Sequence, residues 1–165
     1  MIWRRGERAH VDGDSFEPAR LFRPESFFLG RTEGWGVAKG PFGQIVRRCR
    51  IHTEGRLDEA YQALHLDELF VWDDGGQEEW RWAMRRGMDG RYAAAEALVG
   101  SGIEGRYDGC DYVLSFLRPV QPKGPRFRFV TRFTLLAPDV AMKSVRLSLF
   151  GAPIASMVAF HRQID

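Results

Sequence analysis

Glu68 is the residue whose chemistry stands out first. In the run LHLDELFVW, strict alternation sets Leu64, Leu66, Phe70 and Trp72 on one face, with Glu68 in their midst. A carboxylate among apolar residues is costly unless it is paired or protonated, so the pattern asks for a cationic partner, with Arg31 and Arg132 as candidates. Two roles fit such a group. Inside a ligand cavity it is a polar anchor, or a general acid with a raised pKa. At the end of the fold, or on a bulged strand, it is a structural ion pair or a solvent-facing residue.

Large rings recur at the same spacing. Trp35, Trp72, Trp80, Trp82, Tyr112, Phe127, Phe129 and Phe133 either line a cavity for a flat apolar molecule or fill a core. The residues expected to contact a ligand are Trp35, Glu68, Phe70, Trp80, Trp82, Tyr112 and Phe129. Other chemistries find little support. His10, His52, His65 and His161 include no pair at metal-ligand spacing, and His65 falls on a polar face with Asp67, so neither a metal nor a cofactor is expected. The chain has no Gly-x-Ser-x-Gly, phosphate loop or Cys/His pair, which leaves Glu68 as the sole candidate for catalysis. An arginine stripe, Arg126, Arg128 and Arg132 with Arg48 and Arg50, is either a solvated exterior or, if these strands adjoin, a basic face for anionic headgroups.

The elements that position these residues are short strands. In RFRFVTRFTLL, Phe127, Phe129, Thr131, Phe133 and Leu135 share one face against Arg126, Arg128, Val130, Arg132 and Thr134. Trp80, Trp82 and Met84 align likewise, as do Cys110, Tyr112, Leu114 and Phe116, and again Val145, Leu147 and Leu149. Turn signals punctuate them: Gly40 to Gly43, Asp73 to Gly76, Met88 to Gly90, Gly100 to Gly102, and Gln121 to Pro125. Only Leu57 to Leu66 competes as a helix; the alternative there is a hairpin turn around Asp58-Glu59-Ala60. The stretch FFLGRTEGWGVAKGPFG reads as a first strand whose glycines let it coil and let a large ring approach.

About eight to ten strands, each with one apolar face, must hide their edges, by closing into an up-and-down antiparallel barrel or by stacking as a two-sheet sandwich. The meander order favours the barrel, an all-β fold spanning 26–165, after a charged lead-in over 1–25 that holds Pro18 and Pro24. The length of 165 residues suits one domain, and the balance of 24 basic to 22 acidic residues, net +2, makes no case for a nucleic-acid partner. Cys49 and Cys110 match no zinc or redox spacing, and the sequence leaves open whether they pair. No run reaches the length of a membrane-spanning helix.

The run FFLGRTEGWG, then Phe42-Gly43, Val46-Arg47-Arg48, LDELFVWDDG, Trp80, DGRY and LVGSGIEG resemble a bacterial family of unknown function numbered 3833, over roughly Phe27 to His161. Its members are typically described as lipoproteins. The resemblance implies a lipocalin-like, calycin-like barrel and carries no activity with it. Many members have a signal sequence and a lipobox cysteine; neither is found in this sequence, and the expected location is the cytoplasm. Lipocalins proper offer a looser similarity, a Trp in the first strand with a late Arg packed across it, here Trp35 with Arg162 or Arg146. The expected function is binding or carrying a small hydrophobic molecule inside the barrel without catalysis. The alternatives are an isomerase- or cyclase-type enzyme using Glu68, and an assembly protein at a partner or membrane surface.

Overall fold

The computed structural model describes residues 20–120 and 123–164. One helical turn, α1 (Pro24–Phe27), precedes ten strands: β1 (Gly30–Lys39), β2 (Ile45–Asp58), β3 (Ala63–Trp72), β4 (Gln77–Arg86), β5 (Tyr92–Glu96), β6 (Gly100–Asp108), β7 (Asp111–Pro119), β8 (Arg126–Ala137), β9 (Val140–Leu149) and β10 (Ala152–Ile164). Each strand pairs antiparallel with its neighbours in sequence, and β1 also pairs with β10, from Arg31 opposite Ile164 to Lys39 opposite Ser156. The up-and-down meander therefore closes on itself with no edge exposed. No helix among the described residues is long and apolar enough to cross a membrane.

Period-two alternation sends one side chain of each pair inward. β3 buries Leu64, Leu66, Glu68 and Phe70, and β8 buries Phe129, Thr131 and Phe133, while Arg126, Arg128 and Arg132 point out. The Leu57 to Leu66 stretch is a strand, turn and strand. The Asp58 carboxylate accepts the Ala60 and Tyr61 amides at 3.0 and 3.3 Å, which closes the turn locally and ends any helical start. Gly100 and Gly102 differ from expectation: they begin β6, with φ of 84° and 94°, and the turn lies just before them at Ala97 to Val99.

One end of the barrel is plugged. Phe22, Phe27 and Phe28 fold under the β-sheet, Phe22 stacking on Phe133 at 5.2 Å and Phe28 meeting it edge-on at 5.4 Å. The Phe22 amide donates to the Cys110 carbonyl at 2.9 Å, and the Gln163 side chain donates to the Ser26 and Phe27 carbonyls. Part of the expected lead-in is thus core: Phe22 is fully buried and Pro24 nearly so, because the open end of a barrel exposes ring edges that only a bulky apolar plug covers. Residues 1–19 of that lead-in lie outside the described residues.

Candidate functional site

Above the plug lies a cavity of about 190 Å³. Its wall is aromatic. Trp80 and Trp82 of β4 stack at 5.8 Å, Phe116 of β7 meets Trp82 edge-on at 5.3 Å, and Phe129 of β8 lies parallel to Phe116 at 5.3 Å. The arrangement follows from register, since β4, β7 and β8 each present every second residue to the interior. The cavity runs from Phe28 at the plug to Ala38, Trp72, Val120 and Ser156 at the opposite end, the mouth.

Glu68 faces this cavity, and its partner is neither Arg31 nor Arg132. The Lys143 ammonium donates to Glu68 Oε1 at 2.7 Å, and Trp82 Nε1 donates to Oε2 at 3.0 Å. Arg132 points outward and is held by Asp108 and Asp111, and Arg31 is exposed on the outer surface of β1. Burial alone would push the Glu68 carboxyl up; the adjacent Lys143 and the Trp82 N–H outweigh it and hold the group below the ordinary carboxylate range. The raised pKa expected of a general acid is therefore replaced by its opposite. The Lys143 ammonium also lies 5.2 Å from the Phe70 ring and 5.5 Å from the Phe133 ring. Lys143 went unnoticed in the sequence, although extending the Val145, Leu147 alternation two residues back reaches it.

Behind this pair sits a second buried polar group. His161 of β10 is 1% exposed, and neither ring nitrogen has a protein hydrogen-bond partner. Its ring stands edge-on to Phe28 at 6.0 Å, in space left by Gly34, where a Cβ would lie 3.0 Å from Nδ1. Burial, reinforced by the Lys143 charge, lowers its pKa to about 4, so the imidazole is neutral at pH 7. The Thr32 and Thr53 hydroxyls, also buried, share the lack of a protein partner.

The mouth is rimmed by stacked cations. The Arg118 guanidinium lies 3.5 Å over the Trp80 ring and donates to Glu78 at 3.2 Å and to Glu96 at 3.4 Å. Arg47 lies 4.3 Å over Trp72 and pairs with Asp74 at 2.7 Å. Neither Arg118 nor Arg47 was singled out from the sequence as a site residue; the inward parity of Arg118 with Phe116 was the available signal.

Of the seven residues expected to contact a ligand, Glu68, Phe70, Trp80, Trp82 and Phe129 line the cavity. Tyr112 is inside the barrel but belongs to the plug, packed between Phe22, Tyr92 and Phe133, where burial raises its phenol pKa. Trp35 points outward beside Phe160, half-exposed: in β1 the inward positions are Thr32, Gly34, Gly36 and Ala38. The late-Arg contact across Trp35 is likewise replaced, since Arg162 pairs with Asp139 and Arg146 is exposed on the outside of β9. The arginine stripe does not form one face, because β9, β10 and β1 separate Arg126 and Arg128 from Arg48 and Arg50. Cys49 is buried in β2, Cys110 lies by the plug, and no disulfide joins them. Among the described residues no cluster of three or more His, Cys, Asp or Glu side chains could hold a metal ion.

Comparison with solved structures finds a similar fold in an S-type phycobiliprotein lyase from Guillardia theta. It is 9% identical, with a TM-score of 0.64, over 87% of this chain and 94% of that one, which makes the barrel lipocalin-like in fold. No curated protein matches the chain by sequence. A family model described as protein of unknown function (DUF3833) matches residues 11–163. With that match covering most of its length, the chain belongs to the DUF3833 family.

Proposed function

We propose that the barrel binds a small hydrophobic molecule in the cavity above the Phe28 plug, as a carrier and without catalysis. The observation that carries this reading is the cavity itself, apolar on the Trp80, Trp82, Phe116 and Phe129 side, with the Glu68–Lys143 pair inside and Glu78 and Arg118 at its mouth. A volume of about 190 Å³ is somewhat larger than an engineered cavity of roughly 150 Å³ that admits benzene, and smaller than the roughly 300 Å³ at which drug-sized sites begin. The ligand class is therefore a molecule of one or two rings, or a longer one whose polar end stays in the mouth near Arg118.

Catalysis by Glu68 is the weaker reading. An acid catalyst at neutral pH must hold a proton to give, and Lys143 favours the ionised carboxylate. Glu68 serves better as a fixed hydrogen-bond acceptor that orients a ligand.

The test is titration with N-phenyl-1-naphthylamine, an apolar fluorescent probe, followed by native mass spectrometry of the protein purified from its own host. The expected result is saturable one-to-one binding that Val145→Phe, which fills the cavity, weakens about tenfold or more, or roughly 1.4 kcal/mol, while the fold persists. Equal probe binding by the wild type and a folded Val145→Phe variant would sink the proposal.

A further inference from the structure

Two phenylalanines stand where folding has no use for them. Phe42, in the β1–β2 turn, is 92% exposed, and Phe150, in the β9–β10 turn, is 97% exposed. Phe150 also has φ +50°, followed by Gly151 at +86°. Two successive positive φ values define the tight hairpin turn that favours Asn, Asp or Gly at both positions, and a bulky aromatic there is strained. A residue that is both strained and solvated contributes nothing to the native state it sits in, which points to a role outside it.

Both tips lie at the mouth. Because β2, β1, β10, β9, β8 and β7 are consecutive neighbours, the β1–β2, β9–β10 and β7–β8 connections form one continuous arc of the rim. Exposed Ile45, Val46, Val120 and Ile154 extend its apolar surface. The chain carries no Asp or Glu over 34–53, 112–138 and 140–164, the segments from which this arc is built. Among the described residues, Lys39, Lys123, Arg126, Arg128 and Arg146 of this arc pair with no acid, and all but the half-buried Lys39 are exposed. The acids at the mouth, Asp73, Asp74, Glu78 and Glu96, flank the two ends of the arc and are matched there by Arg47 and Arg48 of β2 and Arg118 of β7. At the plugged end the turns carry Asp58, Glu59, Asp89, Asp108 and Asp139, of which Asp89, Asp108 and Asp139 are matched by Arg91, Arg132 and Arg162.

We propose that this arc is a docking surface for an anionic lipid bilayer, with Phe42 and Phe150 entering the headgroup boundary and Lys39, Lys123 and Arg126 meeting lipid phosphates. Protruding rings flanked by cations suit that interface, where apolar insertion and attraction to anionic lipid add. Docked this way, the barrel turns its mouth to the bilayer. The use of that orientation, exchange of an apolar ligand with the membrane, rests on the carrier reading; the docking does not.

The experiment is co-sedimentation of the full chain with phosphatidylcholine vesicles, with and without about one-third phosphatidylglycerol, at low and high salt. The wild type is expected to pellet with the anionic vesicles and to be largely released by salt. Phe42→Ser with Phe150→Gly should lose about tenfold or more in partitioning while its Tm stays at or above that of the wild type, because glycine relieves the strained turn. Lys39→Gln, Lys123→Gln and Arg126→Gln together should lose a similar factor and the salt dependence. Val145→Phe should pellet as the wild type does, so a failed carrier leaves docking intact. Wild type remaining in the supernatant with anionic vesicles, or a Phe double variant that pellets undiminished, would overturn the proposal. So would retention on a short RNA that the Phe substitutions leave unchanged, which would mark the arc as a general polyanion surface.

Discussion

Lys143 Nζ lies 2.7 Å from Glu68 Oε1 across a separation of 75 residues, with both side chains almost wholly buried. The pair sets the electrostatics of the interior, and breaking it differs from replacing it. Lys143→Met leaves a buried carboxylate with only the Trp82 N–H and should cost about 3–5 kcal/mol. Adding Glu68→Leu should recover much of that loss, since two apolar residues need no partner. Urea unfolding of both singles and the double, read as a double-mutant cycle, checks this.

Acid should weaken the fold in two stages. His161 has a folded pKa of about 4 against an ordinary 6.5, so the unfolded chain takes up the proton first and stability falls as pH drops from 6.5 towards 4. At 1.36 kcal/mol per unit this gap corresponds to about 3 kcal/mol. Glu68 has a lowered folded pKa, so its contribution is present above the ordinary 4.5 and is lost as pH falls through that lower value. The urea midpoint of His161→Leu should change little between pH 6.5 and 5, where that of the wild type declines.

Gly55 of β2 lies against the plug, and a Cβ there would sit 1.7 Å from the Phe28 carbonyl oxygen. Backbone cannot yield as a side-chain tip does. Gly55→Ala should displace the Phe28 segment at a cost of about 2–4 kcal/mol, seen as a lower Tm.

Arg118 joins Trp80, Glu78 and buried Glu96 at the mouth. Arg118→Met should cost about 3 kcal/mol by leaving the Glu96 carboxylate without its cation. It should also speed the entry of an apolar probe, measured by stopped-flow fluorescence, because the guanidinium that packs over Trp80 is replaced by a narrower, flexible chain.

Much of the interior was legible because strand parity is a local property. Leu64, Leu66, Glu68 and Phe70, or Phe129, Thr131 and Phe133, declare a buried face within a few residues. β1 was the exception. Its inward positions are Thr32, Gly34, Gly36 and Ala38, so the polarity contrast that marks parity is absent, and Trp35, its largest residue, faces out. The space those small residues leave is filled from β10 and β2, where His161, Ala159 and Cys49 come within contact of Gly34 and Gly36. No local pattern carries that information.

By itself the sequence determined an antiparallel all-β meander, the faces of its strands and the aromatic lining of the interior, since alternation and turn chemistry act over a few residues. Tertiary structure decided the rest: that the barrel closes through β1 and β10, that Phe22 and Phe28 plug one end, that Lys143 answers Glu68, and that the turns bearing Phe42 and Phe150 share one arc of the mouth. Each depends on which distant strands become neighbours. Closure order and register set that, and they minimise exposed edges and unpaired charge over the whole chain at once.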